Sequence, residues 1–287
     1  MNKTMLTIFI TTAVDAMLEA GNFAILSQKG IKNIGKVSEN LENDSKYIKT
    51  KRSAKTATDD KVQEILLQAV LKVIKPENVR LDAEEMTKTT QLFTNKDAKL
   101  TLVIDPIDGT LEYIEGKNNY SICVALVSKG EIITALVYFP ASRELYYIDA
   151  DGKSYYKSFS RNLKIKKKIK LNIPSKINSF RIYQNNRVNK KITINLRQKN
   201  YLIDNDNNNK IIWSKALINC ISGNYYVCIF HTPQIRDILL GAIIEHMPGG
   251  YATDWKGNKL IWQNGGRVKN AIFGFNNAPK VILNCLR

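Results

Sequence analysis

Apolar residues first recur at helical spacing: Ile10, Val14, Met17 and Leu18 fall on one face of a long amphipathic helix predicted over 5–29. From Gly30 to Arg52 the chain is polar, which predicts a helix end and a mobile loop. Val62, Ile65, Leu66, Ala69, Val70 and Val73 restore a single stripe, a second helix over 59–73 with Thr58 or Asp59 as its cap. After the short extended run Val79-Arg-Leu-Asp-Ala83, residues 100–104 are almost wholly apolar, a strand that Asp105-Pro106 should end abruptly. Residues 120–127, 131–139 and 144–148 read as successive strands. Ser128-Lys-Gly-Glu131 makes a hairpin turn between the first two and Pro140 stops the second, which gives an antiparallel meander.

The second half has a different grammar. Around residues 161–170, Leu163, Ile165, Ile169 and Leu171 are interleaved with Arg161, Lys164, Lys166, Lys167, Lys168 and Lys170. This predicts a solvated linker, or an edge strand whose lysines discourage further pairing. Beyond it come a strand near 180–183, a polar loop at 204–210, a helix over 214–221, a strand over 225–230, a helix over 233–247 and a strand over 251–253. Strands alternating with helices argue for an α/β arrangement, so the expected organisation is an α+β lobe over 1–171 and a smaller α/β lobe over 172–287. No internal repeat is visible.

Composition narrows the class without fixing it. The 287 residues are 44% hydrophobic and 24% charged, with 15 Gly and 7 Pro, which excludes collagen, a disulfide-framework peptide and a wholly disordered chain. A formal charge of +17 fits polyanionic partners, but it is carried mostly by Lys in a chain also rich in Ile and Asn, as codon bias would produce. No basic stretch carries an RNA-binding signature, so nucleic acid is an open but unfavoured partner. Cys123, Cys220, Cys228 and Cys285 lie far apart, and His231 and His246 are the only histidines, which argues against zinc or a disulfide scaffold. Buried thiols in a reducing cytoplasm are expected. The apolar run of residues 5–14 is followed at once by Asp15 and Glu19, has no convincing cleavage site and is itself too short to cross a bilayer. A cytoplasmic protein without a membrane partner is the expectation.

Chemistry concentrates in Val103-Ile-Asp-Pro-Ile-Asp-Gly-Thr110. A buried strand delivers Asp105 to its carboxyl end, and Asp108 follows three residues later, so two carboxylates can converge across a tight turn. Gly109 lets a ligand approach the backbone, and Thr110 opens the next segment with outward amides. Paired hard carboxylates beside an anion site suit Mg²⁺ bridging to a phosphate. Three further acidic positions sit at element ends: Glu84-Glu85 after the extended run, Asp59 at the second helix, and Asp237 at the helix that includes Leu240, Ile243 and Ile244. Each of Asp59 and Asp237 alone is also explained by the ordinary preference of acids for helix starts.

Thr-Ala-Thr-Asp59, Ala-Glu-Glu85, Asp-Pro-Ile-Asp-Gly-Thr110 and the weaker Ile-Arg-Asp-Ile-Leu-Leu-Gly241, in this order and approximate spacing, resemble the inositol monophosphatase family of Mg²⁺-dependent, lithium-sensitive phosphatases. Gly-Thr-Leu-Glu-Tyr-Ile114 and Pro233-Gln-Ile-Arg-Asp237 look most like its 3'(2'),5'-bisphosphate nucleotidase branch. The resemblance implies a layered α-β-α-β-α sugar-phosphatase fold, with the site between the two lobes and two or three Mg²⁺ ions. Glu84, Asp105 and the carbonyl of Ile107 would hold the first ion, Asp105, Asp108 and Asp237 the second, and Asp59 with Glu84 a weaker third. Water activated there by Thr110 and Asp59 would attack phosphorus in line, while the Gly109 and Thr110 amides hold the phosphate. The family is often dimeric, so a homodimer is an open expectation.

The chain departs from the family pattern in carrying Arg236 where Trp is usual, Leu239 and Leu240 where small residues are usual, and Ala83 where Gly or Ser is common. Arg236 is left either to pair with a substrate phosphate or to pair with a neighbouring acid. The leading expectation is hydrolysis of the 3'-phosphate of adenosine 3',5'-bisphosphate. Inositol monophosphate or fructose 1,6-bisphosphate is the alternative within the class. From a different class stands a weakly active protein that binds RNA or the transcription machinery.

Overall fold

The computed structural model describes residues 1–35, 54–206, 212–262, 266–276 and 278–286. Most of the loop expected over 30–52 and of the one over 204–210 lies outside the described residues. Helix α1 (Lys3–Ser27) starts at Asn2, whose side chain accepts from the Met5 amide at 2.9 Å. Helix α2 (Ala57–Val70) starts earlier than its apolar stripe suggested. Thr56 caps it, and Asp59 is the reciprocal member of a capping box, accepting from the Thr56 amide at 2.8 Å and its hydroxyl at 2.6 Å.

Both helices cover one face of a seven-stranded sheet. Strands β1 (Val79–Ala83) and β2 (Leu100–Asp108) are parallel; β3 (Ser121–Ser128), β4 (Glu131–Phe139), β5 (Glu144–Ile148), β6 (Ser154–Phe159) and β7 (Ile165–Lys170) continue as an antiparallel meander in chain order. Alternation divides the strands cleanly. Leu102, Ile104, Ile122, Val124 and Leu136 join Phe9, Ala13, Met17, Val62 and Leu66 in the helix-side core, while Val103, Cys123, Ala125 and Val137 face the opposite side. By length and composition alone α1 would pass for a membrane span; its apolar face is buried against α2 and this sheet. A short helix, α3 (Thr110–Ile114), follows β2.

A second sheet, ordered β11-β12-β10-β8-β9, comprises β8 (Arg181–Gln184), β9 (Leu202–Asn205), β10 (Val227–His231), β11 (Gly250–Thr253) and β12 (Asn270–Phe275). Its far face is covered by α4 (Lys190–Gln198) and α7 (Ala278–Leu286), through Ile192, Leu196 and Ile282. Between the sheets lie α5 (Trp213–Ile221) and α6 (Leu239–Glu245), whose Ala216, Leu217, Leu239, Leu240 and Ile243 share one core with Val103 of β2 and Phe273 of β12. The layers therefore run α-β-α-β-α, as the family resemblance implied.

Two elements of the second half bear on the sequence expectations. Residues 165–170 form the sheet edge, the edge-strand reading of their pattern rather than the linker; every residue of β7 is exposed. Pairing to β6 needs only backbone, and the lysines stay solvated, Lys168 lying over the Tyr155 ring at 4.9 Å. The helix expected over 233–247 is shorter, with a 3₁₀ turn at Arg236–Ile238 and α6 beginning at Leu239. Residues 233–235 are tied to residues 266–268 by Ile235 N–H to Gly266 O at 2.9 Å, Val268 N–H to Pro233 O at 3.0 Å and a bridge between Gln234 and Arg267, so helical backbone begins only at Ile235. Leu239 and Leu240 are absorbed into the central core, and the close approach falls at Gly241, where an added Cβ would lie 2.4 Å from the Phe273 ring.

Candidate active site

Strand register assembles the acidic residues. The last β1–β2 pair is Ala83 with Ile104, so Glu84 leaves the carboxyl end of β1 beside Asp105, where the parallel pairing along β2 ends. β2 does not stop at Pro106. Asp105 pairs with Cys123 and Asp108 with Ser121, so three steps along β2 match two along β3. That extra residue is a bulge, where a proline without an N–H is tolerated. The bulge has a chemical consequence. Residues three apart on a regular strand face opposite sides, but Cys123 and Ser121 share a face, so Asp105 and Asp108 share one too. The Ser121 hydroxyl donates to Asp108 Oδ2 at 3.2 Å.

Gly109 follows with φ of 94°, where a side chain would be strained and its Cβ would lie 2.9 Å from Asn119 O. The turn brings Thr110 back on itself: its hydroxyl oxygen is 2.9 Å from the Ile107 carbonyl and 3.2 Å from Asp59 Oδ1. Thr110 and Asp59, 51 residues apart in sequence, are thus joined as expected. Asp237 lies in the 3₁₀ turn over β2 and β3, near enough to Asp105 for their charges to interact.

Asp105 is buried, and its carboxyl is held well above the usual range, first by burial and then by Glu84, Asp108 and Asp237. Its Oδ1 is buried without a hydrogen bond. Asp59 is pushed up to about 6: burial dominates, the Thr56 bonds pull it down, and Glu84 and Glu85 raise it further. Such a set is unfavourable unless protonated or neutralised by a cation. The donors are carboxylates and a carbonyl, without sulfur or imidazole, which is the chemistry of Mg²⁺, and Asp105 Oδ1 is the atom a cation would satisfy. As the side chains stand, no three His, Cys, Asp or Glu residues among the described residues are grouped closely enough to hold an ion. A guanidinium is placed among them: the Arg236 side chain is 13% exposed, its Nη1 lies 3.5 Å from Asp82 Oδ1, and it is electrostatically coupled to Glu84, Asp237 and Asp105.

Four supporting residues escaped the sequence reading. Gln63, fully buried, donates to Glu85 O and accepts from the Glu85 amide at 3.0 Å, fixing the Glu84-Glu85 corner. Lys55 bridges Asp60 and Glu85 at 2.7 Å each, so Glu85 faces a lysine. Asp82 accepts from the Gly266 amide at 2.8 Å and joins β1 to the second half of the chain. Ser121 is the fourth. Gln63 alone carried a signal, lying one helical turn beyond Asp59 on the same face.

Glu112 and Tyr113, part of the run that suggested the nucleotidase branch, are both buried. The Tyr113 hydroxyl donates to Ala24 O at 2.7 Å and its ring packs edge-on against Tyr120, so Tyr113 secures α3 against α1.

The layered α-β-α-β-α order and the carboxylates gathered where β1 ends beside β2 define a metal-dependent phosphatase-like class of fold and site. Residues 12–282 match the profile of the Inositol monophosphatase family, and the chain belongs to that family. A fructose-1,6-bisphosphatase/inositol-1-monophosphatase of Thermotoga maritima is 25% identical over 206 residues, 71% of this chain and 72% of the relative. A Nus factor SuhB of Vibrio cholerae is 29% identical over 112 residues, 38% of this chain and 40% of that one. The 3'(2'),5'-bisphosphate nucleotidase CysQ of Salmonella typhimurium is 34% identical over only 53 residues, 18% of this chain and 21% of its own. Among solved structures, an IMPase/NADP phosphatase complexed with Mg²⁺ and phosphate superposes with a TM-score of 0.66 at 17% identity, covering 93% of this chain and 90% of that one, which shows the shared fold.

Proposed function

We propose that this chain is a Mg²⁺-dependent phosphomonoesterase acting on a small phosphorylated metabolite. The observation that carries this reading is the strand register: it sets Glu84 beside Asp105 and turns Asp108 to the same face, while the Thr110 hydroxyl links the Ile107 carbonyl of the same bulge to Asp59. Glu84, Asp105, Asp108, Asp237 and the Ile107 carbonyl would hold the cation, with Asp59 and Glu84 available to another. When bound, Mg²⁺ would neutralise phosphate charge and lower the pKa of a nearby water. The chain supplies the rest. With the Thr110 hydroxyl donating to Asp59, a Thr110 lone pair is free to take a proton from the attacking water. Asp59, with its pKa near 6, is suited to accept the proton that Thr110 passes on at neutral pH. Gly109 and Thr110 amides would orient the phosphate.

For the substrate, one of the relatives matched over most of its length acts, by its name, on a sugar bisphosphate and an inositol phosphate, which favours a polyol or sugar phosphate; a putative Nus factor SuhB of Neisseria meningitidis, matched over 81% of its length, supports the transcription-machinery alternative. A nucleoside bisphosphate is the second reading, supported by the short CysQ match. Four buried free cysteines support a reducing compartment. The test is phosphate release from inositol 1-phosphate, fructose 1,6-bisphosphate and adenosine 3',5'-bisphosphate, each with Mg²⁺ and with chelator. Chelator-sensitive release led by either of the first two supports the first reading, and preference for the nucleotide selects the second. No release from any of the three by folded protein supplied with Mg²⁺ refutes both and turns attention to the RNA-binding alternative.

A further inference from the structure

We propose that Arg187 and Arg267 form a subsite for a second anionic group of the substrate, so that the site prefers a bisphosphate to the corresponding monophosphate. The inference deepens the phosphatase reading and rests on it. The two guanidiniums come from remote segments and meet on one atom: Arg187 Nη1 donates to the Thr232 carbonyl at 2.6 Å and Arg267 Nη1 to the same oxygen at 3.1 Å. Arg187 also reaches the Thr232 hydroxyl at 3.3 Å. An arginine offers about five N–H donors, and these bonds use only one or two of each set. Arg181 and Arg236 are paired with Asp204 and Asp82, but among the described residues neither Arg187 nor Arg267 is paired with an acid. Two like charges brought together on a neutral oxygen repel each other, and an anion seated between them would relieve that. Their remaining donors suit the planar, two-point hold that arginine takes on phosphate.

The backbone holds this pair ready beside the acidic site. β8 and β10 are parallel, and ligands of open α/β sheets collect at the carboxyl ends of such strands. Arg187 lies three residues beyond the end of β8, and Thr232 directly follows β10. Buried Asn185 ties the two strand ends together, accepting from the His231 amide at 3.0 Å and donating to the His231 carbonyl at 3.1 Å. Thr232 has φ of 50°, a left-handed backbone unusual for a residue branched at Cβ, and its N–H donates to Lys269 O at 2.8 Å. Arg267 stands on the segment that reaches the acidic residues. Gly266 N–H donates to Asp82 Oδ2 at 2.8 Å, two residues before Glu84, and Arg267 bridges to Gln234, three residues before Asp237. Arg187 is half-buried and Arg267 exposed, so the pair is anchored and yet open to a ligand. A substrate with one phosphate at Gly109 and Thr110 would then be held at its second phosphate by the arginines.

The test is a specificity ratio, kcat/KM for a bisphosphate over kcat/KM for its monophosphate, measured on the full chain by phosphate release with Mg²⁺. Fructose 1,6-bisphosphate is set against fructose 1-phosphate, and adenosine 3',5'-bisphosphate against adenosine 3'-monophosphate, with inositol 1-phosphate alongside. The wild type should favour the bisphosphate by at least about tenfold in one couple, mainly through KM. Combining Arg187→Gln with Arg267→Gln should lower that ratio by at least about tenfold. Arg267→Gln alone, at an exposed position, should lower it by at least about threefold, and it carries the test if the double variant does not fold. A wild-type ratio near one in both couples, a ratio unchanged in the folded variants, or release from inositol 1-phosphate alone overturns the proposal and leaves the phosphatase reading intact. No release from any of the esters by folded wild type supplied with Mg²⁺ overturns both.

Discussion

Neutralising Asp59 should stabilise the metal-free protein, by an amount that depends on pH. Asp59 is buried at the start of α2 and its pKa rises from 3.8 to about 6. The folded state thus holds this proton more tightly than the unfolded chain does. Its contribution to stability is fully present below pH 3.8 and is lost as pH rises through 6. Two pH units at 1.36 kcal/mol each correspond to about 3 kcal/mol of destabilisation above pH 7. Asp59→Asn removes that destabilisation, and its amide oxygen can still accept from Thr56, so the capping box survives in part. Urea unfolding in EDTA should show Asp59→Asn more stable than wild type by about 3 kcal/mol at pH 8 and by only about 1 kcal/mol at pH 4.5. At pH 8 this corresponds to roughly 5 °C in the thermal midpoint. Saturating Mg²⁺ should shrink or reverse the difference, because the carboxylate then has a cation to hold. An equal gain at both pH values, or a loss at pH 8 in EDTA, would refute the electrostatic reasoning.

Other perturbations test separate parts of the account. Gln63→Leu strips both hydrogen bonds from the Glu85 main chain in a buried setting and should cost about 2–4 kcal/mol in urea unfolding, with weaker Mg²⁺ binding by calorimetry. Thr110→Val keeps the shape but removes the hydroxyl shared between Asp59 and Ile107. Turnover should fall by about 10²–10⁴-fold while unfolding changes by no more than about 1–3 kcal/mol. Gly241→Ala drives a methyl group to 2.4 Å from the Phe273 ring and should cost about 1–3 kcal/mol by calorimetric melting, with substrate selectivity unchanged.

Much of the site was legible because it is local in sequence. Asp105, Asp108, Gly109 and Thr110 fall within six residues, and the meander beside them follows a period-two pattern. The layered order came from the family resemblance; periodicity alone gives elements, not their stacking. What escaped depends on partners remote in the chain. No local signal shows that Pro106 lies in a bulge, since the bulge exists only in the register with Ser121 and Cys123. The late start of α6 reflects bonds from residues 233–235 to residues 266–268, which override the helical pattern of the former. Thr56, Thr58 and Asp59 are comparably good cap residues by type, and only the observed dihedrals single out Thr56. The sequence leaves Arg236 between two roles, and the structure sets it against Asp82.

The central claim is that the Glu84, Asp105, Asp108 and Asp237 carboxylates act on phosphate esters through a divalent cation. Its most direct test is a Mg²⁺ titration of phosphate release from inositol 1-phosphate by the wild type and by Asp105→Asn, with both proteins confirmed folded. The account predicts saturable, chelator-reversible release by the wild type and loss of at least about 10²-fold in Asp105→Asn at every Mg²⁺ concentration. Release by Asp105→Asn at the wild-type rate and Mg²⁺ dependence would contradict it.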